Sequence, residues 1–373
     1  MAAPLRTAVI GLGLAGRTFH VPHLAASSDF EITVLCQRSS ALGADFAVLA
    51  PRARVVHDAL EAARAPDVDL VVVATPDRTH FEIAAAALRA GKHVLVDKPL
   101  TSTLQQAAEL FAIARECGGK LACMPYQNRR YCSDFATVRS LLEARRLGEL
   151  VEFESHYDRF RPEVRQLWKE LDRGALDNLG PHVIDQALLL FGEPTRVWAD
   201  VRALRPGAVT DDAFELQLFY DGAAPGRITG TCAPPRWRCV LKSTMLAPAN
   251  ELKFVLHGSE ASFVKSGLDG QEAALGAGGP VLPADGENWA VEPATFAGVL
   301  TSGRSGAAET VPSVYTSYVR FYSAFAAALR APEPLRAQEV SPEMALLLLR
   351  VIETARRSSA SGRVEPLVPV PDI

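Results

Sequence analysis

Short apolar runs alternate with alanine-rich segments through the first 123 residues. Four runs are rich in Val, Ile and Leu and end at turn residues: TAVIGLG (7–13), EITVLC (31–36), VDLVVVAT (68–75) and HVLVD (93–97). Between the last two lies FEIAAAALRAGK (81–92), which has a helical composition and closes at a glycine. Strands buried on both faces read as continuous apolar runs, and strand–helix–strand repeats at this spacing build parallel sheets. The pattern therefore predicts an N-terminal doubly wound parallel sheet.

From about residue 124 the pattern changes to consecutive strands. LVEFESHYD (150–158) alternates, which places Glu152, Glu154 and His156 on one face. Further β-prone runs follow: FELQLFY (214–220), GRITGTC (226–232), RCVLKSTM (238–245) and ELKFVLHGSEASFVK (251–265), the last with a Gly-Ser-Glu hairpin turn. Runs of strands without helices between them are typical of a mostly antiparallel sheet that helices cover on one face.

The remaining C-terminal segments complete the predicted α/β architecture. Residues 313–330 and 341–357 are predicted to be the covering helices, and residues 267–306, rich in Gly, Pro and Ala, are predicted to form a loop. The tail VEPLVPVPDI is too rich in proline for a helix. We therefore expect a dinucleotide-type domain at residues 1–123 and an α+β domain with a large, mostly antiparallel sheet at residues 124–373.

Composition narrows the functional classes. The chain has 373 residues, 48% of them hydrophobic and 22% charged, which fits two globular domains. Its formal net charge is -4 and it has no long basic run, so we expect neither a nucleic acid nor a membrane surface as partner. No apolar stretch reaches the length of a membrane span, and the N-terminus runs at once into a strand without a signal peptide.

The six cysteines bear on compartment and metal content. They form no CxxC pair and have no histidine cluster at zinc-site spacing nearby. Reduced thiols in a cytoplasmic protein, with no metal, are therefore expected.

A glycine-rich turn after the first apolar run is the strongest local motif. Gly11-Leu12-Gly13-Leu14-Ala15-Gly16 stands between the predicted strand and a helical segment. In this setting Gly11 permits the tight turn, Gly13 lets the backbone approach a pyrophosphate, and Gly16 lets the helix pack on the strand. The helix N-terminus then receives the phosphate charge. The motif, including Leu12 and Ala15, is predicted to bind a dinucleotide.

The end of the second run bears on the choice of cofactor. NAD-binding domains usually carry Asp or Glu there to bind the ribose hydroxyls, whereas this chain has Cys36-Gln37-Arg38-Ser39-Ser40. No acid repels a 2′-phosphate, and Arg38 and Ser39 offer positive charge and donors. We therefore predict NADP, with NAD as the alternative; a solvated Arg38 of no functional role is the competing interpretation.

Two later strand ends supply further candidates. Thr75 and Pro76 end the third run, where open α/β sheets present ligand-binding loops, and His80 is expected to cap or orient this loop or to serve the core. Asp97 and Lys98 end the fourth run. A lysine there is well placed to donate to a substrate oxygen beside the nicotinamide.

Together these pieces resemble the Gfo/Idh/MocA family of oxidoreductases. The residues that carry the resemblance are AVIGLGLAG (8–16), VVVATPDRTH (71–80), AGKHVLVDKPL (90–100) and NLGPHVIDQALLLFG (178–192). The chain is similar in particular to bacterial NADP-linked scyllo-inositol dehydrogenases and their relatives, through TFHVPHL (18–24), QNRRYCSDF (127–135), FESHYDRFRPEVR (153–165) and VKSGLDGQE (264–272). The resemblance covers nearly the whole chain.

The resemblance implies the catalytic roles. Lys98 would hydrogen-bond the reacting hydroxyl or carbonyl, and His182 would accept and donate its proton. An imidazole that titrates near neutrality suits this task, and a nearby ammonium stabilises the developing alkoxide. The resemblance also implies a Rossmann nucleotide-binding domain, a polyol or sugar substrate and a homo-dimer or homo-tetramer.

One position departs from the family pattern. The family usually has Asp four residues before this histidine, and this chain has Asn178, with Asp177 just before it. In a continuous helix Asn178, His182 and Asp185 would share one face. Three outcomes stay open: Asp177 replaces the missing acid, Asp185 supports His182, or the activity is weak or altered.

Substrate-binding candidates follow the domain crossover. Charged and aromatic side chains together bind polyhydroxylated rings, although they also form interdomain ion pairs. The candidates are Arg129, Tyr131, His156, Arg161, Trp168 and Asp185. The leading hypothesis is reversible oxidation of a secondary hydroxyl on a cyclic polyol or sugar. Its alternatives are reduction of another carbonyl, such as a deoxysugar or secondary-metabolite intermediate, redox-neutral cleavage of glycosidic bonds, and a non-catalytic NADP-binding regulator.

Overall fold

Two β-sheets, one parallel and one mostly antiparallel, organise the chain. The computed structural model describes residues 3–38, 44–164, 173–221, 236–277 and 289–371. The predicted strand at residues 226–232 lies outside the described residues, as do the site candidates Ser39 and Trp168.

The N-terminal sheet has six parallel strands in the order β3-β2-β1-β4-β5-β6. Their bounds are β1 (Leu5–Ile10), β2 (Phe30–Cys36), β3 (Arg54–Val56), β4 (Leu70–Val73), β5 (His93–Val96) and β6 (Cys123–Pro125). Every residue of β4 is buried, so helices cover both faces, as the continuous apolar runs predicted. The predicted doubly wound sheet is confirmed. The boundary between residues 123 and 124 stays a prediction; β6 crosses it.

Five α-helices connect these strands. They are α1 (Val21–Ala26), α2 (Ala44–Leu49), α3 (Ala59–Ala63), α4 (His80–Arg89) and α5 (Leu104–Glu116). The Thr103 side chain caps α5 by accepting a hydrogen bond from the backbone N–H of Gln106. The helix predicted at residues 81–92 is confirmed as α4, whose successive buried alanines let it pack closely on the sheet.

The C-terminal sheet has nine strands in the order β14-β13-β12-β11-β7-β10-β9-β8-β15. Their bounds are β7 (Leu150–His156), β8 (Arg196–Arg202), β9 (Ala213–Asp221), β10 (Arg236–Thr244), β11 (Leu252–Gly258), β12 (Ala261–Ser266), β13 (Gly298–Ser302), β14 (Ala308–Val311) and β15 (Glu365–Pro366). Only the β7–β10 pair is parallel within the described sheet. The mostly antiparallel sheet and the hairpin between β11 and β12 are confirmed.

The prediction that residues 267–306 form a loop is wrong in two places. Residues Gln271–Gly276 form a helix, α9, and β13 pairs antiparallel with β12. A Cβ on Gly298 would lie 2.2 Å from the Phe263 ring, so glycine lets β13 approach β12 at this point. A glycine-rich composition therefore marks close strand packing here rather than a loop.

Helices cover one face of the large sheet. The remaining α-helices of the described chain are α6 (Ser133–Glu143), α7 (Ala175–Asn178), α8 (Gly180–Phe191), α10 (Tyr318–Leu329), α11 (Pro334–Ala337) and α12 (Pro342–Ser361). Both predicted covering helices form, as α10 and α12, but α10 packs mainly on α1, on α11 and on residues 128–131 rather than on the sheet. Helix α12 packs against β8, α8 and α5, and therefore joins the two domains. No described helix is both long enough and apolar enough to cross a membrane.

Side chains from the C-terminal helices lock the domains together. The Tyr322 hydroxyl donates to the Phe19 carbonyl (2.9 Å) and lies 2.9 Å from Nδ1 of the fully buried His20. The Gln338 amide bonds both backbone groups of Cys123, accepting from its N–H (3.0 Å) and donating to its carbonyl (2.9 Å). These contacts fix the cleft that lies between the domains.

Candidate active site

A cleft of about 1540 Å³ opens between the domains at the carboxyl ends of β1, β4 and β5. This edge of an open parallel sheet is where the strand order reverses around β1 and β4, so loops on either side diverge and leave a crevice. The cleft brings together the glycine-rich turn, Arg38, the loop after β4, Lys98, Asn178 and His182.

The glycine-rich turn has the geometry that a dinucleotide cradle requires. Gly11 has φ +99°, and a Cβ there would lie 2.5 Å from the Ala74 carbonyl oxygen. A Cβ on Gly16 would lie 2.0 Å from the Gly11 carbonyl oxygen, whereas a Cβ on Gly13 would meet nothing within 4 Å. Contacts within the protein therefore require glycine at positions 11 and 16, whereas Gly13 leaves open space beside the backbone. Leu12 and Ala15 also line the cleft.

Arg38 stands at the rim of the cleft, just after β2. The turn before it is held by the Gln37 backbone, whose N–H donates to the Val56 carbonyl (3.1 Å) and whose carbonyl lies 2.8 Å from His57 Nδ1. Asp58 also lines the cleft, but its carboxylate caps α3. Asp58 therefore has a structural task, and Arg38 is exposed.

His80 organises the two loops that follow β4 and β5. Its ring is fully buried, with Nε2 2.8 Å from the Thr75 carbonyl oxygen and Nδ1 2.9 Å from the Pro99 carbonyl oxygen. His80 lies behind the cleft, whereas Thr75 and Pro76 line it. Of the two interpretations of His80, the structure favours the orientation of the loop.

Lys98 reaches across the cleft to the C-terminal domain. Its Nζ donates to the backbone carbonyl of Asn178 (2.5 Å) and to Asn178 Oδ1 (3.0 Å). Burial lowers the pKa of Lys98 to about 8, against the opposing effect of Asp97, which lines the cleft beside it. The two hydrogen bonds thus hold the ammonium in place, and its pKa lies close to neutral pH.

The helical segment that carries His182 is broken rather than continuous. Helix α7 ends at Asn178, Leu179 intervenes, and α8 starts at Gly180 with Pro181 in its first turn, where proline is tolerated. The Asn178 carbonyl at the end of α7 accepts from Lys98, and His182 lies in the first turn of α8. Asn178 and His182 nevertheless line the same cleft, whereas Asp185 does not, so two of the three residues keep the arrangement expected for a continuous helix.

His182 lines the cleft, in surroundings that favour its neutral form. Burial holds the pKa of its imidazole well below the usual value, and the neighbouring cations lower it further; these are Lys98, Arg129, Lys253 and Arg159. Its Nδ1 is buried without a hydrogen-bond partner among the described residues. A neutral imidazole in this position can accept a proton.

Neither neighbouring acid supports His182. Asp177 pairs with Arg356 (2.5 Å), and Asp185 makes a bidentate pair with Arg130 (2.6 and 2.7 Å) in the protein interior. Two of the three outcomes left open by the sequence are therefore excluded in this structure, namely replacement by Asp177 and support by Asp185. An altered activity is the outcome that stays open.

A charged cluster faces His182, and of its members the sequence pointed to Arg129 but not to Glu272. Glu272, at the start of α9, pairs with Arg129 and lies 3.5 Å from the Tyr157 hydroxyl, to which Arg129 donates at 2.6 Å. The Tyr157 ring meets the His182 ring edge-on, with centroids 5.9 Å apart. Although burial opposes it, Arg129 lowers the pKa of Glu272. The position of Glu272 inside VKSGLDGQE was its only sequence signal.

The predicted substrate residues divide into two groups. Arg129 and Arg161 line the cleft. Tyr131 and His156 are placed elsewhere, because the Tyr131 hydroxyl donates to Glu339 (2.7 Å) and His156 lies between Glu154 (3.1 Å) and Asp158 (3.2 Å). Like Asp185, these two residues bind other side chains of the protein and do not line the cleft.

No group of three or more His, Cys, Asp or Glu side chains within the described ranges could hold a metal ion. The five cysteines that the structure describes are free thiols, namely Cys36, Cys117, Cys123, Cys132 and Cys239.

Two family models match this chain and divide it as the two sheets do. Residues 5–124 match the oxidoreductase family with an NAD-binding Rossmann fold, and residues 135–264 match the GFO/IDH/MocA C-terminal domain. The chain belongs to the Gfo/Idh/MocA family of oxidoreductases. The resemblance stated from the sequence motifs is thereby confirmed.

Individual relatives cover almost the whole chain. YdgJ of Escherichia coli (strain K12), an uncharacterized oxidoreductase, is 38% identical over 96% of this chain and 99% of its own. The NADP(+)-dependent scyllo-inositol 2-dehydrogenase IolW of Bacillus subtilis (strain 168) is 36% identical over 96% and 95%. The solved structure of yvaA from Bacillus subtilis has a TM-score of 0.87 and 33% identity, covering 99% and 100%.

Proposed function

We propose that this Gfo/Idh/MocA oxidoreductase transfers a hydride between NADP(H) and a secondary hydroxyl or ketone of a cyclic polyol or sugar. The observation that carries the proposal is the meeting of Lys98, Asn178 and His182 in one cleft with the glycine cradle. Similarity to the scyllo-inositol dehydrogenase IolW supports a polyol substrate.

The cradle and the rim fit a nicotinamide dinucleotide. Gly13 leaves room for a pyrophosphate beside the backbone, and Arg38 offers a cation for a 2′-phosphate where NAD-binding domains carry an acid. When bound, the nicotinamide supplies the acceptor for the hydride that leaves the substrate carbon. Arg38 supports NADP as the preferred cofactor.

Residues of the cleft can accept and return the hydroxyl proton of the substrate. In the oxidation direction, the hydroxyl proton passes to the neutral imidazole of His182 as the C–H bond gives up its hydride, and a ketone remains. The Lys98 ammonium stabilises the negative charge that develops on the oxygen. Asn178 holds the ammonium in place through its carbonyl and Oδ1. In reduction, the same groups work in reverse.

Turnover with matched variants tests this function. Purified protein is mixed with scyllo-inositol or myo-inositol and either NADP⁺ or NAD⁺, and reduced cofactor is followed by its absorbance. We expect Lys98→Ala and His182→Ala each to lower kcat by about 10²–10⁴-fold, with NADPH still bound. Arg38→Ala should lower kcat/KM for NADP⁺ and leave the value for NAD⁺ nearly unchanged.

The controls separate catalytic loss from unfolding. Tyr131→Phe removes a hydroxyl that bonds Glu339 outside the cleft, so this variant should retain activity. NADPH binding without turnover of any polyol, sugar or ketone in either direction would overturn the assignment. Equal losses for both cofactors in Arg38→Ala would overturn the NADP preference alone.

A further inference from the structure

A short segment of the C-terminal domain, residues 173–178, binds both the side chain and the main chain of Lys98. Asn178, at its end, accepts hydrogen bonds from the Lys98 ammonium through its carbonyl and its Oδ1. Arg173, at its start, donates from Nη1 to the Lys98 backbone carbonyl (3.4 Å). Lys98 belongs to the N-terminal domain, so its position in the cleft depends on contacts made across the domain boundary.

The Arg173 guanidinium also binds the loop that follows β4. Its Nε donates to the Asp77 carboxylate (2.9 Å), and both side chains line the cleft, with 20% and 13% of their surface exposed. One guanidinium therefore joins the loops after β4 and β5, which His80 joins from behind the cleft through the carbonyls of Thr75 and Pro99. A rigid fork of donors suits two fixed acceptors better than a flexible ammonium does.

The segment that supplies Arg173 is itself firmly held. The Asp211 carbonyl accepts from the Ala175 N–H (2.7 Å), and the Asp211 carboxylate accepts from the Leu176 N–H (2.7 Å). A Cβ on Gly174 would lie 2.0 Å from that carboxylate, so glycine lets the chain approach it this closely. Arg173 therefore reaches the cleft from a fixed support.

Arg173 also brings a positive charge close to Lys98. The charged and titratable groups that act on the Lys98 ammonium are Asp97, Arg173, Glu272, Arg159 and His182. Burial is the largest cause of the lowered pKa of Lys98, Asp97 opposes it, and Arg173 is the cation that lowers this pKa most. The Asp77 carboxylate pairs with Arg173 and offsets part of its charge, which lets two cations lie close together.

We propose that Arg173 is a positioning residue for Lys98, which fixes the lysine main chain at the cleft and adds positive charge next to the ammonium. This role rests on the proposed function, because it acts through the ammonium that stabilises the alkoxide. The Arg173 contact sets where the lysine side chain begins, and the Asn178 contacts set where it ends. Loss of the first contact should therefore misplace Lys98 even when Asn178 is intact.

Titration of the Lys98 amine tests the proposal without requiring turnover. The rate at which this amine reacts with acetic anhydride rises as the amine loses its proton, and mass spectrometry of the peptide that carries Lys98 follows this rate across a pH series. Arg173→Met removes a neighbouring positive charge and should raise the pKa of Lys98 by about half a pH unit or more. Arg173→Lys, which keeps a charge there, should bring the pKa back toward the wild-type value.

The partner of Arg173 provides a shift in the opposite direction. Asp77→Asn removes the carboxylate and leaves the Arg173 charge unbalanced, so the pKa of Lys98 should fall. Opposite shifts from the two ends of one ion pair are a charge effect, because general loosening of the cleft would move both variants in the same direction. Should Arg173→Met fail to fold, the downward shift in Asp77→Asn carries the test.

Steady-state kinetics separate placement from charge. A lysine at position 173 lacks the fork that binds Asp77 and the Lys98 carbonyl together, so Arg173→Lys should lower kcat for inositol oxidation by about tenfold although the pKa of Lys98 is largely restored. Arg173→Met should lower kcat at least as far, and the alkaline limb of its kcat/KM profile should move upward with the pKa of Lys98.

Arg350→Met is the matched control. Arg350 also donates to one backbone carbonyl, that of Val368 (2.7 Å), and to one carboxylate, that of Glu193 (2.9 Å), with 16% of its side chain exposed. It does not line the cleft. This variant should keep the wild-type kcat and Lys98 titration, and denaturant titration of both methionine variants compares their loss of stability.

The two hypotheses fail in different ways. If the wild type oxidises inositol while Arg173→Met keeps the same Lys98 pKa or the same kcat, the proposed function stands and the positioning role is overturned. If no polyol, sugar or ketone turns over but the Lys98 pKa rises in Arg173→Met, the proposed function fails and the effect of Arg173 on Lys98 stands. Changes as large in Arg350→Met as in Arg173→Met would show a general loss of structure and overturn the positioning role.

Discussion

The contact between Lys98 and Asn178 governs how the site responds to pH. Burial lowers the pKa of Lys98 to about 8, and the two oxygens that accept its hydrogen bonds belong to a neutral residue. Below this pH the ammonium is charged and stabilises an alkoxide; above it the charge is lost. Activity in the proposed reaction should therefore decline on the alkaline side as Lys98 deprotonates.

Replacing Asn178 by aspartate should move that decline. A carboxylate at the 3.0 Å contact favours the charged ammonium, so Asn178→Asp should raise the pKa of Lys98 and shift the alkaline limb of kcat/KM upward by about one pH unit or more. The measurement is a pH profile of both proteins. Asn178→Ala, which removes Oδ1 without adding charge, should not shift the limb upward; an unmoved limb in the aspartate variant would contradict the role of Lys98.

Where a motif named a residue, the structure places that residue in the cleft; where a long-range partner decides its position, the sequence did not reveal it. Lys98 and His182 meet in the cleft as the motifs implied. Asp185 was predicted near the substrate, but Arg130, far away in sequence, binds it in the interior. Glu272 was missed because only the folding of α9 against the cleft brings it to Arg129. Pairings between distant residues leave no periodic trace in the sequence.

Helix α8 carries His182, and one buried ion pair anchors it. Arg130 and Asp185 have side chains 1% and 5% exposed, and their bidentate pair joins the turn before α6 to α8. Removing one partner of a buried pair leaves an uncompensated charge.

Arg130→Met should therefore destabilise the protein by about 3–5 kcal/mol, because it strands the Asp185 carboxylate. The free energy of unfolding is measured by denaturant titration. The double variant Arg130→Met/Asp185→Leu removes both charges and should recover much of the loss. A double variant as unstable as the single one would show that the pair contributes through packing rather than charge.

Substitutions at two glycines of the glycine-rich turn should affect folding and cofactor binding separately. Gly16→Ala places a methyl group 2.0 Å from the Gly11 carbonyl oxygen and should destabilise the N-terminal domain. Gly13→Ala meets nothing within 4 Å and should leave the unfolding free energy nearly unchanged while weakening NADPH binding. Denaturation and NADPH titration of both variants are the measurements. Unchanged NADPH affinity in Gly13→Ala would place the pyrophosphate elsewhere.

Helices and strands were predicted correctly where the apolar pattern of the sequence matches the burial along the whole element. β2 coincides with its predicted run to within one residue, since alternation and burial agree along it. β13 was missed because a glycine-rich composition predicts a loop, whereas Gly298 is there to let the strand pack closely on Phe263. The break at Leu179 comes just before Gly180-Pro181, because Pro181 has no N–H to bond the Asp177 carbonyl and continue the helix.

At the scale of the whole molecule, the cleft joins two domains, so a ligand that fills it should stabilise both. NADPH at about 100 times its Kd should add roughly 2.7 kcal/mol to the unfolding free energy and raise Tm accordingly. NADH at the same concentration should raise Tm less, because Arg38 gains no phosphate. Scanning calorimetry measures both. An equal rise with the two cofactors would contradict the NADP preference.

The sixth strand of the parallel sheet, β6, depends on the C-terminal domain for a hydrogen-bonding partner. Gln338 binds the N–H and the carbonyl of Cys123, so one side-chain amide takes the place of a neighbouring strand. An N-terminal domain produced alone would lose that amide and present an unpaired strand edge, on which copies of itself can add by β-augmentation. The C-terminal domain thus also protects its neighbour against self-association.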